Sequence, residues 1–436
     1  MKRTQVAQLL LAGLIMIIAN GNGKAQSKGF VSTKGHQFLI NEQPVYFIGT
    51  NYWYGGFLAL QKDNKKGIDR LRAELDFLRD NAVTNLRVLA GPEGEGLVSG
   101  VERVGPPLQV SKGIFDNNFL QGLDILLAEM GKRNMNAVIF FSNNWEWSGG
   151  FLEYLRWNNQ ITDSVFRRKL DWDETRDYVS KFYSCESCKA DYLKQVEYII
   201  NRTNSITNKK YVDDPTIMSW EIANEPRPMR PAAVNEYKKW ISGVAEYIKS
   251  ADKNHLVTIG TEGYIGTENI AIYEAIHADK NIDYLTIHIW PKNWEWFKGT
   301  DIAGGMDSIV NKTINYISLH MEVANKLKKP LVIEEFGLPR DGHSFDLSST
   351  TSFRDKYYQS IFTELQNSKN NSAALGAVNF WSYGGIITPT HTRWQKGDDY
   401  IGDPPMEEQG LNAVFNGDKS TWELVRLFAR KLKIKN

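Results

Sequence analysis

Two stretches of the chain carry carboxylates in a setting suited to paired acid–base work. The first is Ile217-Met-Ser-Trp-Glu-Ile-Ala-Asn-Glu-Pro-Arg227, a short apolar run that ends in Asn224, Glu225 and Pro226. Pro226 has no N–H and cannot continue a central strand, so Glu225 belongs at a strand's carboxyl end. The second is Pro330-Leu-Val-Ile-Glu-Glu-Phe-Gly337, which offers Glu334 and Glu335 at the end of another apolar run. A carboxylic acid facing a carboxylate across one bond suits glycosidic bond hydrolysis. One group protonates the leaving oxygen and the other attacks the anomeric carbon. Glu225 is the expected acid/base and Glu335 the expected nucleophile. Side chains alternate along a strand, so only one of Glu334 and Glu335 should face a site. Glu335 is nearer the strand end and directly precedes Phe-Gly, and is preferred. The two roles ask for different pKa values, raised for Glu225 and low for Glu335.

Other polar or aromatic residues fall at or just past the ends of apolar runs: Arg87, Asn143, Asn224, His288 and Trp381. Singly, Arg87 reads equally well as a structural ion pair, His288 as a satisfied core histidine and Trp381 as packing. Together they favour a site. Arg87 would hold Glu335 ionised through charge-assisted hydrogen bonds. Asn224 would donate to a sugar 2-OH, and His288 would position substrate or the acid.

Such residues must be brought together by a scaffold. Strand-like runs are expected at 45–49, 84–89, 136–141, 217–222, 256–260, 283–290, 331–335 and 377–383. Helical spacing is expected at 68–81, 119–133, 190–204, 234–251, 306–327, 353–366 and 421–433. The run at 136–141 is almost continuously apolar, as a parallel strand buried on both faces would be. Repeated strand–helix alternation predicts an α/β fold, a single (β/α)8 TIM barrel with long loops at its carboxyl-end face, where such enzymes place their sites. A doubly wound open sheet is the alternative, but no Gly-x-Gly-x-x-Gly or phosphate loop supports it. Residues 38–47 read as a hairpin at the barrel bottom, and 151–189 as a long inserted loop.

Composition narrows the partners. Of 436 residues, 12% are aromatic, with 13 Trp, and the formal net charge is +1. No basic block suits nucleic acid. Aromatic faces suit sugars but also fill cores. Residues 1–25 have a basic start, a short apolar run and a small-residue end, which predicts a signal peptide and a secreted or periplasmic protein. The apolar run is too short for a comfortable membrane span, so no membrane is expected in the mature form. Residues 26–436 are then the catalytic domain. Cys185 and Cys188 are the only cysteines. They read as a local disulfide at a helix start or as two inert thiols, with thiol chemistry the weaker reading.

The ordered set of motifs resembles glycoside hydrolase family 5 of clan A, and within it the endo-β-1,4-mannanases of subfamily 7. The resemblance rests on Gly49-Thr-Asn-Tyr-Trp53, Thr84-Asn-Leu-Arg-Val88, Asn143-Asn-Trp145 with Gly149-Gly150, and 213–227. His288-Ile-Trp-Pro-Lys-Asn-Trp294, Glu334-Glu-Phe-Gly337 and 402–410 complete it. It implies hydrolysis of internal β-1,4-mannosidic bonds in mannan, galactomannan or glucomannan, with retention, through a covalent mannosyl-enzyme. It puts the acid/base at Glu225 and the nucleophile at Glu335. Substrate-binding roles are implied for Arg87, Asn224, His288, Trp290, Trp381, Trp53, Asn143 and Arg227, the last on the leaving-group side. Trp290 stands where the family commonly has Tyr, so its role is open. No cofactor or metal is implied, and a monomer acting on β-mannan is expected. The alternatives are another retaining β-glycanase of the clan, a β-glucanase or xylanase, and a non-catalytic polysaccharide-binding protein.

Overall fold

The computed structural model describes residues 29–60 and 63–433. The expected signal peptide, residues 1–25, lies outside the described residues. The eight parallel strands are β1 (Phe47–Asn51), β2 (Asn85–Leu89), β3 (Asn136–Phe140), β4 (Ile217–Glu221), β5 (Leu256–Thr258), β6 (Leu285–Ile289), β7 (Leu331–Phe336) and β8 (Leu375–Phe380). They pair in chain order, and β8 pairs back onto β1. The β5–β6 seam lacks a ladder. It is bridged instead by the Asp283 N–H to the Val257 carbonyl (2.8 Å) and the Val257 N–H to Asp283 Oδ2 (2.7 Å). The result is the (β/α)8 barrel that the alternation predicts.

Each strand is followed by a helix. These are α1 (Asn64–Asp80), α2 (Asn117–Lys132), α3 (Glu186–Ile200), α4 (Val234–Ala251), α5 (Ile270–His277), α6 (Ile302–Leu327), α7 (Ser352–Asn370) and α8 (Lys419–Lys433). Asp63 and Asp116 accept hydrogen bonds from the first-turn N–H groups of α1 and α2, and so fix where those helices begin. The helices lay apolar faces on strands that are buried along their whole length, which is why the strands read as continuous apolar runs.

The barrel bottom is closed by more than a hairpin. Val31–Lys34, Gln37–Ile40 and Gln43–Val45 form a three-stranded antiparallel sheet. Its Val31 and Phe38 pack against Val138, Met218, Leu256, Tyr284 and Val332. One end of the barrel is thus plugged with apolar side chains, and chemistry is left to the other.

The segment 151–189 is not the loop its length suggests. It folds into short helices, including Gly150–Trp157 and Trp172–Val179. Their rings build a layer in which Phe151 stacks on Phe182 at 4.4 Å and both meet Trp240 of α4. Burial of so many rings gives the insertion its own core. Cys185 and Cys188 are disulfide-bonded, and Cys185 caps α3. A ring this small removes little freedom from the unfolded chain, so replacing both by Ser should cost about 2 kcal/mol or less. Thermal denaturation of the double variant would read this. Turnover should be unchanged, because neither cysteine lines the pocket that holds Glu225 and Glu335. No helix among the described residues is long and apolar enough to cross a membrane.

Candidate active site

Arg87 organises the carboxyl end of the barrel. It lies within β2, fully buried, and all five of its N–H groups are used. Nε and Nη2 clamp Glu221 of β4 at 2.8 and 2.5 Å. Nη1 donates to Glu335 Oε1 of β7 at 2.5 Å and to Asn51 Oδ1 of β1 at 3.1 Å. The remaining Nη2 hydrogen goes to Asn224 Oδ1 at 2.7 Å. A guanidinium in the core is tolerable because its planar fork is satisfied in every direction. It thereby fixes the positions of four strand ends.

Asn224 inherits its orientation from this. Its oxygen must face Arg87, so its nitrogen faces Asn143, donating to Oδ1 at 3.0 Å. One amide hydrogen is left, and Asn224 lines the catalytic pocket. Asn143 is fully buried and also accepts from the Trp145 N–H, so it braces Asn224 from behind and does not reach the pocket.

Glu225 stands four residues past β4, with φ of 51°. A non-glycine residue in this left-handed region is uncommon, and such strain persists only where surrounding contacts enforce it. Here the Glu225 N–H donates to the Gly260 carbonyl at 2.8 Å, and the side chain is held from two sides. Trp145 Nε1 donates to Oε2 at 2.5 Å, and His288 Nδ1 lies 2.6 Å from Oε1. Burial pushes His288 down to about 4, so the ring is neutral at physiological pH. It then either donates to ionised Glu225 or accepts the proton of its acid form.

Glu335 receives Arg87 on one oxygen and the Trp290 indole N–H on the other, at 3.1 Å. The indole thus supplies a donor to this carboxylate at the position where a Tyr is common. Glu335 faces the pocket, whereas Glu334 does not. Strict alternation nevertheless fails here. The β6–β7 register steps from Ile287 opposite Ile333 to His288 opposite Glu335, which leaves Glu334 as an extra, bulged residue. The bulge keeps both glutamates on the inner side. Glu334 Oε2 sits 3.8 Å from His288 Nε2 and 3.9 Å from Arg87 Nε, beneath the pocket floor. Burial pushes Glu334 up to about 7.

A Glu225 oxygen, a His288 ring nitrogen and a Glu335 oxygen all lie within 4.8 Å of one another. An approach this close is compatible with the roughly 5–5.5 Å carboxyl separation of retaining glycosidases. The same three groups are the one cluster among the described residues that could ligate a metal, but the Arg87 guanidinium already balances its charge.

Burial raises both carboxyls. The expectation of a low pKa for Glu335 is therefore corrected. Its desolvation outweighs the help of Arg87, and the charges of Glu225 and Glu407 raise it further. Two carboxyls this close share one proton. Arg87 bonds directly to Glu335, whereas Arg227, the largest lowering influence on Glu225, does not bond to it. The single negative charge thus rests on Glu335 and the proton on Glu225.

The pocket has a volume of about 360 Å³. Trp290 and Trp381 meet edge to face at 5.8 Å on its wall. Arg227 pairs with Glu262 through two bonds and lies over the Trp145 ring at 5.0 Å. His288 and Arg87 lie behind the lining. Trp53 is not brought to the pocket. It is buried, donates to the Gly402 carbonyl at 2.8 Å and packs on Trp147.

Several site residues escape the sequence reading. Glu221 carries a usable signal, as a charge inside an apolar parallel strand. Trp145 and Glu407 lie within motif segments that give them no role. Glu407 lines the pocket, and burial with the neighbouring Asp403 charge pushes it up to about 8. Glu262 carries no local signal, since only the fold brings it to Arg227.

The family model described as GH family 5 beta-mannosidase-like matches residues 28–436. A mannan endo-1,4-beta-mannosidase 1 of Arabidopsis thaliana is 30% identical, covering 82% of each chain. A mannan endo-1,4-beta-mannosidase 4 of Solanum lycopersicum is 27% identical over 86% of this chain and 89% of its own. A glycoside hydrolase family 5 mannosidase from Rhizomucor miehei superposes with a TM-score of 0.83 at 28% identity, covering 93% of this chain and 97% of its own. Sequence match and barrel geometry agree over nearly the whole chain, which belongs to glycoside hydrolase family 5.

Proposed function

We propose that the chain is an endo-β-1,4-mannanase that cleaves internal bonds of mannan, galactomannan or glucomannan with retention. The observation that carries the mechanism is the short Glu225–Glu335 approach, with Arg87 biasing the charge towards Glu335. Glu335 attacks the anomeric carbon while Glu225 gives its proton to the leaving oxygen. Glu225, now ionised, then takes a proton from water, which releases the sugar from Glu335. The spare Asn224 N–H is placed to bond the 2-OH as charge develops. The names of the Arabidopsis and tomato relatives support mannan as the polymer. Residues 1–25 have the composition of a signal peptide, which supports a secreted or periplasmic location.

Reducing-end assays on mannan, cellulose and xylan test the reading. Mannan should be preferred by ~100-fold or more, since a site built around one sugar hydroxyl rejects its epimer strongly. Preference for cellulose or xylan would instead support another β-glycanase of the clan.

A further inference from the structure

A second cavity opens on the same face of the barrel. It has a volume of about 760 Å³, larger than the catalytic pocket, and lies between the loops that follow β2 and β8. Its size falls in the roughly 300–1,000 Å³ range of ligand pockets. The two loops are tied together. The Tyr400 hydroxyl accepts from the Gly105 N–H at 2.9 Å and donates to the Gly105 carbonyl at 3.1 Å. Arg70 holds the Tyr400 carbonyl at 2.8 Å.

The wall is aromatic. Trp394 lies flat against Tyr400, with centroids 5.5 Å apart and planes 15° apart. Trp394 is half-buried and lines the cavity, so part of its ring surface faces the open space. Around it stand Glu95, Glu102, Arg167 and Lys396, whose side chains have no hydrogen-bond or ion-pair partner among the described residues. With Asp398, Asp399 and Arg103 the wall carries four acids and three bases, a near balance that gives no strong field to select an ion. They do give donors and acceptors for hydroxyl groups, beside a ring face that suits the C–H face of a pyranose.

The cavity also shares a wall with the catalytic pocket. Buried Trp53 contacts Trp147, which lines the catalytic pocket, at 5.2 Å, and Tyr400, which lines the second cavity, at 5.4 Å. One layer of rings separates the two spaces.

We propose that this cavity is a second carbohydrate-binding site that takes a neutral hexose oligosaccharide, a length of the substrate chain. The proposal rests on the mannan reading above. Holding the polymer beside the catalytic pocket raises the effective concentration of cleavable bonds without touching the reacting atoms.

Calorimetric titration of the Glu335→Ala full chain with mannotriose tests this. Two molar equivalents should bind. Adding Trp394→Ala should leave one, with the thermal midpoint checked to confirm folding. Arg167→Ala with Lys396→Ala changes only side chains without partners, and should weaken the second equivalent several-fold while sparing the first. In the active enzyme, Trp394→Ala should raise KM on polymeric mannan several-fold and leave kcat on an aryl β-mannoside unchanged. One equivalent with Trp394 intact, or two equivalents unaffected by all three substitutions, would overturn the proposal. Failure of the mannan reading shows separately, as wild-type enzyme that does not cleave mannan.

Discussion

Replacing Glu335 by Ala is expected to lower kcat on mannan by ~10⁴-fold or more, which corresponds to about 5.5 kcal/mol of barrier. The loss follows from removing the atom that bonds the anomeric carbon, which nothing nearby can replace. Glu334 is beneath the floor and does not line the pocket. The fold should survive. Arg87 keeps both bonds to Glu221 and those to Asn51 and Asn224. Relief of the buried carboxyl's desolvation offsets the Arg87 and Trp290 bonds it loses, so the thermal midpoint should change little. Steady-state rates and thermal denaturation of the same preparation check both halves. Near-full activity in Glu335→Ala, with activity lost in Glu334→Ala, would move the nucleophile to the bulged residue.

Replacing Glu225 by Ala should separate the two chemical steps. Mannan needs a proton on its leaving oxygen, and loss of general acid catalysis costs ~10²–10⁴-fold. A dinitrophenyl β-mannoside needs no such proton, so Glu335 should still form the glycosyl-enzyme. A burst of dinitrophenolate should appear, followed by slow turnover, because no base remains to activate water. Azide needs no base and should restore turnover, yielding a β-mannosyl azide. The pH profile checks the assignment independently. Wild-type activity should fall as pH rises through the raised pKa of Glu225, because the acid is lost, and fall as pH drops and Glu335 takes up a proton. In Glu225→Ala the alkaline limb should disappear for the activated substrate. An unchanged alkaline limb would assign that titration to another group.

The scaffold is legible in the sequence where its signal is local. Fully buried parallel strands must be apolar throughout, so β3, β4 and β7 stand out. Helix α5 does not, because its eight residues hold too few turns to show a period. Glu225 and Glu335 are legible because strand ends in a barrel converge. What converges with them is less so. Glu221 and Glu262 are held by arginines distant in sequence, and Glu262 also lines the pocket. Trp53 follows a strand end yet turns into the aromatic layer behind the pocket. The Glu334 bulge is not legible either, because an irregular register depends on the neighbouring strand. Nor is the raised pKa of Glu335, which depends on burial and on charges assembled by the fold.

The most direct test is to trap the covalent intermediate. A 2-deoxy-2-fluoro-β-mannosyl fluoride slows both steps by withdrawing electrons, while its good leaving group keeps the first step feasible. Mass spectrometry of the digested protein should place one fluoromannosyl group on Glu335. Label on Glu334, or time-dependent turnover with no covalent adduct, would contradict the pairing of Glu225 with Glu335 as acid and nucleophile.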